Sequence, residues 1–147
     1  MTQWNITRAI NAPIDVVFKT VAHINEFSRA VPQVVKVEFL SDLKSGVGTK
    51  FRETRLMKGK ESTTELEVTE YVPNDHVRIV ADTHRTIWDT VFSVKREGDQ
   101  TLLTMHMDAR TGKLIPKILI TFIKGMVGKA VAKDMDSVKE YCEKQGQ

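Results

Sequence analysis

The C-terminal stretch KLIPKILITFIKGMVGKAVAKDMDSVKEYCEK, from Lys113 to Lys144, constrains this chain more than any other. Its apolar residues recur at helical spacing for about eight turns, at roughly 3.6 residues per turn. A helix that long needs something to cover its apolar side. Almost everything before it reads as short strands, so the expected architecture is α+β: one antiparallel sheet wrapped around one long C-terminal helix. Any ligand space would then lie between sheet and helix.

The remaining bulk properties narrow the class. A chain of 147 residues fits one domain over 1–147 and buries enough surface for a real core. The net charge of +3, from 22 Lys and Arg against 19 Asp and Glu, is mild and evenly mixed. No basic block with interleaved aromatics accompanies it, so nucleic acid is not an expected partner. The single Cys142 cannot form an internal disulfide, and MTQWNITR lacks the apolar centre of a signal peptide; the expected location is cytoplasmic. The longest apolar run, Leu114 to Val127, is broken by Lys117 and Lys124 and is shorter than the roughly 20 residues that cross a bilayer.

Taken in order, Trp4, Ile6 and Ile10 share one face of an opening strand, which Asn11-Ala12-Pro13 ends. Pro13 suits the first turn of a helix, and Ile14, Val17, Phe18 and Val21 then form a narrow apolar stripe. A second short helix turns Ile24, Phe27 and Val31 inward and stops at Pro32. These two helices are too short to make a core alone and should plug one end of the sheet. From Val34 the period changes to two, with Val35, Val37 and Phe39 expected on one face.

The later strands can be tested against one another. A two-residue hairpin at Lys58-Gly59 places Phe51 opposite Leu66, Glu53 opposite Thr64 and Arg55 opposite Ser62. On the other side it sets Arg52 against Glu65 and Lys50 against Glu67, opposite charges worth a few tenths of a kcal/mol each. A loop at Gly98-Asp99 pairs Val94 with Leu103, Phe92 with Met105, Thr90 with Met107 and Trp88 with Ala109. Pro73-Asn74-Asp75 should turn the chain with a two-residue loop, and a turn at His84-Arg85 would set Ala81 beside Trp88 and Ile79 beside Thr90. The expected count is seven antiparallel strands.

Strand, two short helices, six strands and a long helix is the order of the helix-grip fold, and particular segments carry the likeness. INAPIDVVFKTVAHINEFSRAVP resembles the entry of the superfamily that contains START lipid-transfer domains, polyketide cyclases and birch-pollen-allergen-like proteins. GVGTKFRETR and TEYVPNDHVRI resemble its third and fifth strands. The resemblance implies a cavity between the concave sheet face and the last helix, used by relatives for sterols, lipids, quinones, hormones or polyketide intermediates. It implies no shared catalytic motif, and no cofactor is expected.

Site residues therefore come from strand parity. The inward face should carry Phe51, Glu53, Arg55, Thr64, Leu66 and Ile79, continued by Trp88, Thr90, Phe92, Met105 and Met107. Glu53 and Arg55, roughly 7 Å apart along one strand, would supply the polar end of an otherwise apolar pocket. The competing reading puts Arg55 and Ser62 at a solvated rim. His23, His76, His84 and His106 have no metal-ligand spacing, and no metal is expected. No serine sits in a Gly-x-Ser-x-Gly elbow.

On the last helix, Ile120, Ile123, Val127, Val131, Val138 and Cys142 form one stripe, expected to face the sheet. Ile115, Ile118, Phe122 and Met126 form a second strip, more than a quarter turn away. Three readings of it stay open. The helix bends at Gly125 or Gly128 so that each half buries its own stripe; a wide groove encloses both, with Ile115, Leu119, Phe122 and Met126 against a ligand; or Ile115, Ile118, Phe122 and Met126 meet a membrane or a partner protein. Lys113, Lys117, Lys124 and Lys129, with no acid before Asp134, suit an anionic bilayer. The expected function is binding or transport of an apolar or amphipathic small molecule. A cyclase- or aromatase-like enzyme using the same cavity, and a lipid- or quinone-linked accessory protein docking through the last helix, are the alternatives.

Overall fold

The computed structural model describes residues 2–83, 85–112 and 114–145. Strand β1 (Thr2–Ile10) is followed by helices α1 (Ile14–Ala22) and α2 (Ile24–Ala30). Strands β2 (Val34–Phe39), β3 (Lys50–Met57), β4 (Lys60–Val72), β5 (His76–Thr83), β6 (Thr86–Glu97) and β7 (Gln100–Thr111) come next, and helix α3 (Lys117–Gln145) ends the chain. The strands form one antiparallel seven-stranded sheet in the order β1-β7-β6-β5-β4-β3-β2. This is the helix-grip arrangement, with β1 and β2 at opposite edges.

The hairpin registers follow from turn chemistry. Lys58 and Gly59 both adopt positive φ, 51° and 77°, the twist a two-residue loop needs to match its strands. Phe51 accordingly faces Leu66, Glu53 faces Thr64, and Arg52 faces Glu65. β6 and β7 pair Phe92 with Met105 and Thr90 with Met107. Ala81 lies beside Trp88 across β5 and β6. In the turn that follows Thr83, His84 lies outside the described residues and Arg85 has a φ of 64°.

Two local expectations are corrected. The β4–β5 connection holds three residues between the paired Val72 and His76, not two, and a bulge between Val68 and Glu70 restores the apolar phase. In β2 a bulge between Val34 and Lys36 turns Val34 inward and leaves Val35 half exposed, while Val37 and Phe39 keep their side. Strict alternation cannot reveal a bulge, because an extra residue restarts the period.

The long helix begins at Lys117, four residues later than its apolar spacing suggests. Pro116 precedes it, and the Ile120 amide bonds to the Pro116 carbonyl at 3.0 Å; Lys113 lies outside the described residues. α3 runs without interruption through Gly125 and Gly128. Its hold on the core comes from the second half, where Met135, Val138 and Cys142 are essentially inaccessible; each such side chain contributes about 1.5–3 kcal/mol. Val127 and Val131 are half-buried against that core, whereas Ile120 and Ile123 lie outside it.

The two short helices close one flank. Val17, Phe18 and Val21 of α1 and Phe27 of α2 are buried. His23 ends α1 and opens α2, and its Nε2 lies 3.1 Å from the Tyr71 hydroxyl. Phe18 meets the Tyr71 ring edge-on at 5.4 Å, so one tyrosine of β4 anchors both helices. Among the described residues, no helix is long and apolar enough to cross a membrane.

Candidate functional site: a cavity between sheet and helix

The concave sheet face and α3 do not meet along their whole length. Between them lies a cavity of about 310 Å³. β3 contributes Phe51, Glu53, Arg55 and Met57; β4 contributes Ser62, Thr64 and Leu66; β5 contributes Ile79, Ala81 and Thr83. Trp88, Thr90 and Phe92 of β6 and Met105 and Met107 of β7 complete the sheet side. Every one is an inward-parity position, so strand periodicity alone places them on one wall.

The opposite wall is α3, through Met126, Val127, Ala130, Val131 and Asp134. Val21 and Ala22 of α1 and Ile24 and Phe27 of α2 close the side. The rim includes Met57, Ser62 and Met126, all exposed. Three residues expected at the ligand, Ile115, Leu119 and Phe122, lie outside this wall. The reason is the late helix start: Ile115 precedes α3, and the first turns stay largely in solvent, with Leu119 at 47% and Phe122 at 66% exposure.

Among the described residues, the one charged cluster in the cavity is built from β3 and α3. Arg55 Nε donates to Glu53 Oε1 at 2.5 Å, Nη1 donates to Asp134 Oδ1 at 3.1 Å, and Nη2 lies 2.9 Å from Asp134 Oδ2. The guanidinium also stands 6.0 Å from the Phe27 ring centre. Arg55 is thus a partly buried ion-pair partner and not an idle rim residue. Ser62, its cross-strand neighbour, is at the exposed rim.

Burial alone would push the Arg55 pKa down, but the adjacent Glu53 and Asp134 outweigh it and push it up. Burial pushes the Asp134 carboxyl above the usual carboxylate range, partly offset by Arg55 and, more weakly, by Lys133. Removing the arginine would leave two acids in an apolar wall, the expensive way to break a buried ion pair.

Strand parity does not reach Asp134, which is absent from the candidates it supplies, although the helix carries a signal. Asp134 lies three residues after Val131 and four before Val138, on the stripe that faces inward. Its partner is 79 residues away along the chain, so only the fold joins them. Val21, Ile24 and Phe27, expected as part of the plug, also line the cavity, together with Ala22.

Trp88 of the wall stacks on Trp4 of β1, with ring centres 6.0 Å apart and planes at 22°. Trp4 in turn donates its indole N–H to the Lys124 carbonyl at 3.0 Å. Among the described residues no group of three or more His, Cys, Asp or Glu could hold a metal ion. The His106–Asp108 pair, 3.3 Å apart, is outside the cavity wall.

Comparison with known proteins agrees with this architecture. Residues 1–143 match the family model described as polyketide cyclase/dehydrase and lipid transport. No curated protein matches the chain. A protein from Thermus thermophilus superposes with a TM-score of 0.81 at 15% identity, over 99% of this chain and 100% of its own. A START superfamily protein from Mycobacterium smegmatis gives 0.80 at 14%, covering 97% and 98%. The Zhui aromatase/cyclase from Streptomyces sp. R1128 gives 0.79 at 17%, covering 99% and 96%. At these identities the structural likeness speaks for the fold, and the family match adds the lineage: the chain belongs to the polyketide cyclase/dehydrase and lipid transport family.

Proposed function

We propose that this protein binds and carries an apolar or amphipathic small molecule in the cavity between its sheet and α3. One observation carries the reading: a wall of aromatic, aliphatic and thioether side chains interrupted, among the described residues, by a single ion cluster, Glu53–Arg55–Asp134. Pockets that hold small ligands combine a mostly apolar lining with a few convergent polar groups. Met105, Met107, Met126 and Met57 suit a ligand whose shape varies, because thioethers repack at low cost. Extraction of protein purified under native conditions, followed by mass spectrometry, tests it. The expected result is a stoichiometric apolar adduct. Ligand-free protein that also fails to take up the neutral dye Nile red would overturn the reading.

A second observation favours loading at a membrane surface. Ile118 and Phe122 are 86% and 66% exposed, and Met126, on the same strip, both lines the cavity and reaches solvent. The exposed Lys117, Lys124 and Lys129 flank it, and α3 has no acid before Asp134. An apolar strip with a basic flank complements an anionic bilayer. In this reading a ligand would pass between lipid and cavity beside Met126. A cyclase-like activity would use the same cavity as a mould for a reactive chain, with turnover of such a chain as its test.

A further inference from the structure

We infer that the polar end of the cavity selects ligands whose buried end is an uncharged hydrogen-bond donor, an alcohol or a phenol, and turns away carboxylates. The inference rests on the cavity-binding reading and specifies its ligand. Its basis is an imbalance: two carboxyl groups, from Glu53 and Asp134, hold one guanidinium. Arg55 is the only base lining the cavity among the described residues. Lys133, which also acts on Asp134, is exposed to solvent and does not line the cavity. An anionic ligand entering here would meet more negative than positive charge while losing its own water, and burying a charge without a free partner is costly.

Glu53 supplies the complementary attraction. It is only 8% exposed and lines the cavity. Its Oε1 accepts from Arg55, whereas Oε2 has no hydrogen-bond partner among the described residues and is not walled in by protein. The free oxygen is therefore an acceptor open to the cavity. Directly across the β3–β4 ladder stands Thr64, also in the wall. A hydroxyl at this point donates to Glu53 Oε2, and its oxygen can accept from the Thr64 hydroxyl. A carboxylate has no proton to give and sets oxygen against oxygen.

Displacement of Nile red at about neutral pH tests this with three matched probes: 4-octylphenol, its methyl ether 4-octylanisole, and 4-octylbenzoate. The octyl chain and ring are common to all three, so differences report the polar end. Any apolar pocket disfavours the benzoate, and the decisive comparison is phenol against anisole, which differ in one donor proton. A hydrogen bond to a charged acceptor predicts that the phenol binds roughly tenfold more tightly than the anisole. Glu53→Gln should reduce that preference and narrow the gap between the benzoate and the phenol without closing it. Equal affinity of wild-type protein for phenol and anisole overturns the inference while Nile red binding keeps the cavity reading. A Glu53→Gln protein that folds and keeps the full preference overturns Glu53 as the acceptor. Absence of Nile red binding overturns the cavity reading and the inference with it. The wild-type comparison decides the matter even if the variant does not fold.

Discussion

Gly128 of α3 packs against the indole of Trp4: a β-carbon at 128 would come to 3.4 Å from both Cδ1 and Nε1. The missing side chain lets the indole reach the helix backbone, where Nε1 bonds to the Lys124 carbonyl at 3.0 Å. This contact joins the first strand to the point on α3 where solvent-exposed turns give way to the cavity wall. At Gly125, one turn earlier, a β-carbon would meet nothing within 4 Å. The two glycines should therefore respond differently. Gly125→Ala is expected to stabilise by up to about 1 kcal/mol through helix propensity alone. Gly128→Leu is expected to destabilise by about 1–3 kcal/mol, because the indole is fixed by its stacking on Trp88 and its bond to the Lys124 carbonyl, and overpacking is resisted. Urea unfolding of both variants measures the contrast, and similar midpoints would contradict the packing account.

Arg55→Met should destabilise by about 3 kcal/mol at neutral pH, since it leaves Glu53 and Asp134 without their cation. The loss should shrink on acidification. The Asp134 carboxyl is already raised above its ordinary 3.8 by burial, so the folded state binds its proton more tightly than the unfolded chain does. Such a group's contribution to stability is full below the unfolded value and is lost as pH rises through the folded value. Without Arg55 only the weaker effect of Lys133 remains, so that proton becomes the main means of neutralising the carboxyl. Denaturant midpoints of wild type and variant between about pH 4 and pH 7 should converge toward the acid end; parallel curves would argue against the cluster's electrostatic role.

On the outer surface, His76 sits between Asp75 and Glu70, at 2.6 and 3.0 Å. Hydrogen bonds to Asp75 first and Glu70 second raise its pKa above the ordinary 6.5. Its stabilising contribution is therefore complete below 6.5 and disappears as pH rises through the higher folded value. The stability difference between wild type and His76→Gln should be positive near pH 6 and shrink as pH rises through the raised folded value. NMR titration of the imidazole gives the direct measurement, and a midpoint below the ordinary value would refute it.

Phe122 is 66% exposed, so Phe122→Asp should leave stability within about 0.5 kcal/mol of wild type. If the exposed strip meets lipid, the substitution removes an inserting ring and adds a charge of the wrong sign. Sedimentation with vesicles rich in anionic lipid should then fall by roughly tenfold or more, with neutral vesicles bound weakly by both proteins. Unchanged sedimentation of a folded variant would rule out this strip as the contact.

Strand parity and turn chemistry make the sheet wall legible from the amino-acid order alone. Once Lys58-Gly59 and Gly98-Asp99 are taken as hairpin loops, the inward positions of β3, β4, β6 and β7 follow, because side chains alternate with a period of two. The bulges at Val34–Lys36 and Val68–Glu70 escape the same logic. They insert one residue without a mark in the apolar pattern.

The features that the residues dictate on their own are local and periodic: seven strands, two plugging helices, a long helix with an apolar stripe, and the inward rank of Glu53 and Arg55. How far that helix follows the sheet, and what it brings there, is a property of the folded chain as a whole. Helical spacing marks two apolar strips on α3 but cannot say that the first turns remain in solvent, with Ile118 at 86% exposure, while Asp134 closes on Arg55. The physical reason is range. Alternation and capping act between residues a few positions apart, whereas the crossing of α3 over the sheet is set where Trp4 meets Gly128 and where Met135, Val138 and Cys142 bury, contacts between the two ends of the chain.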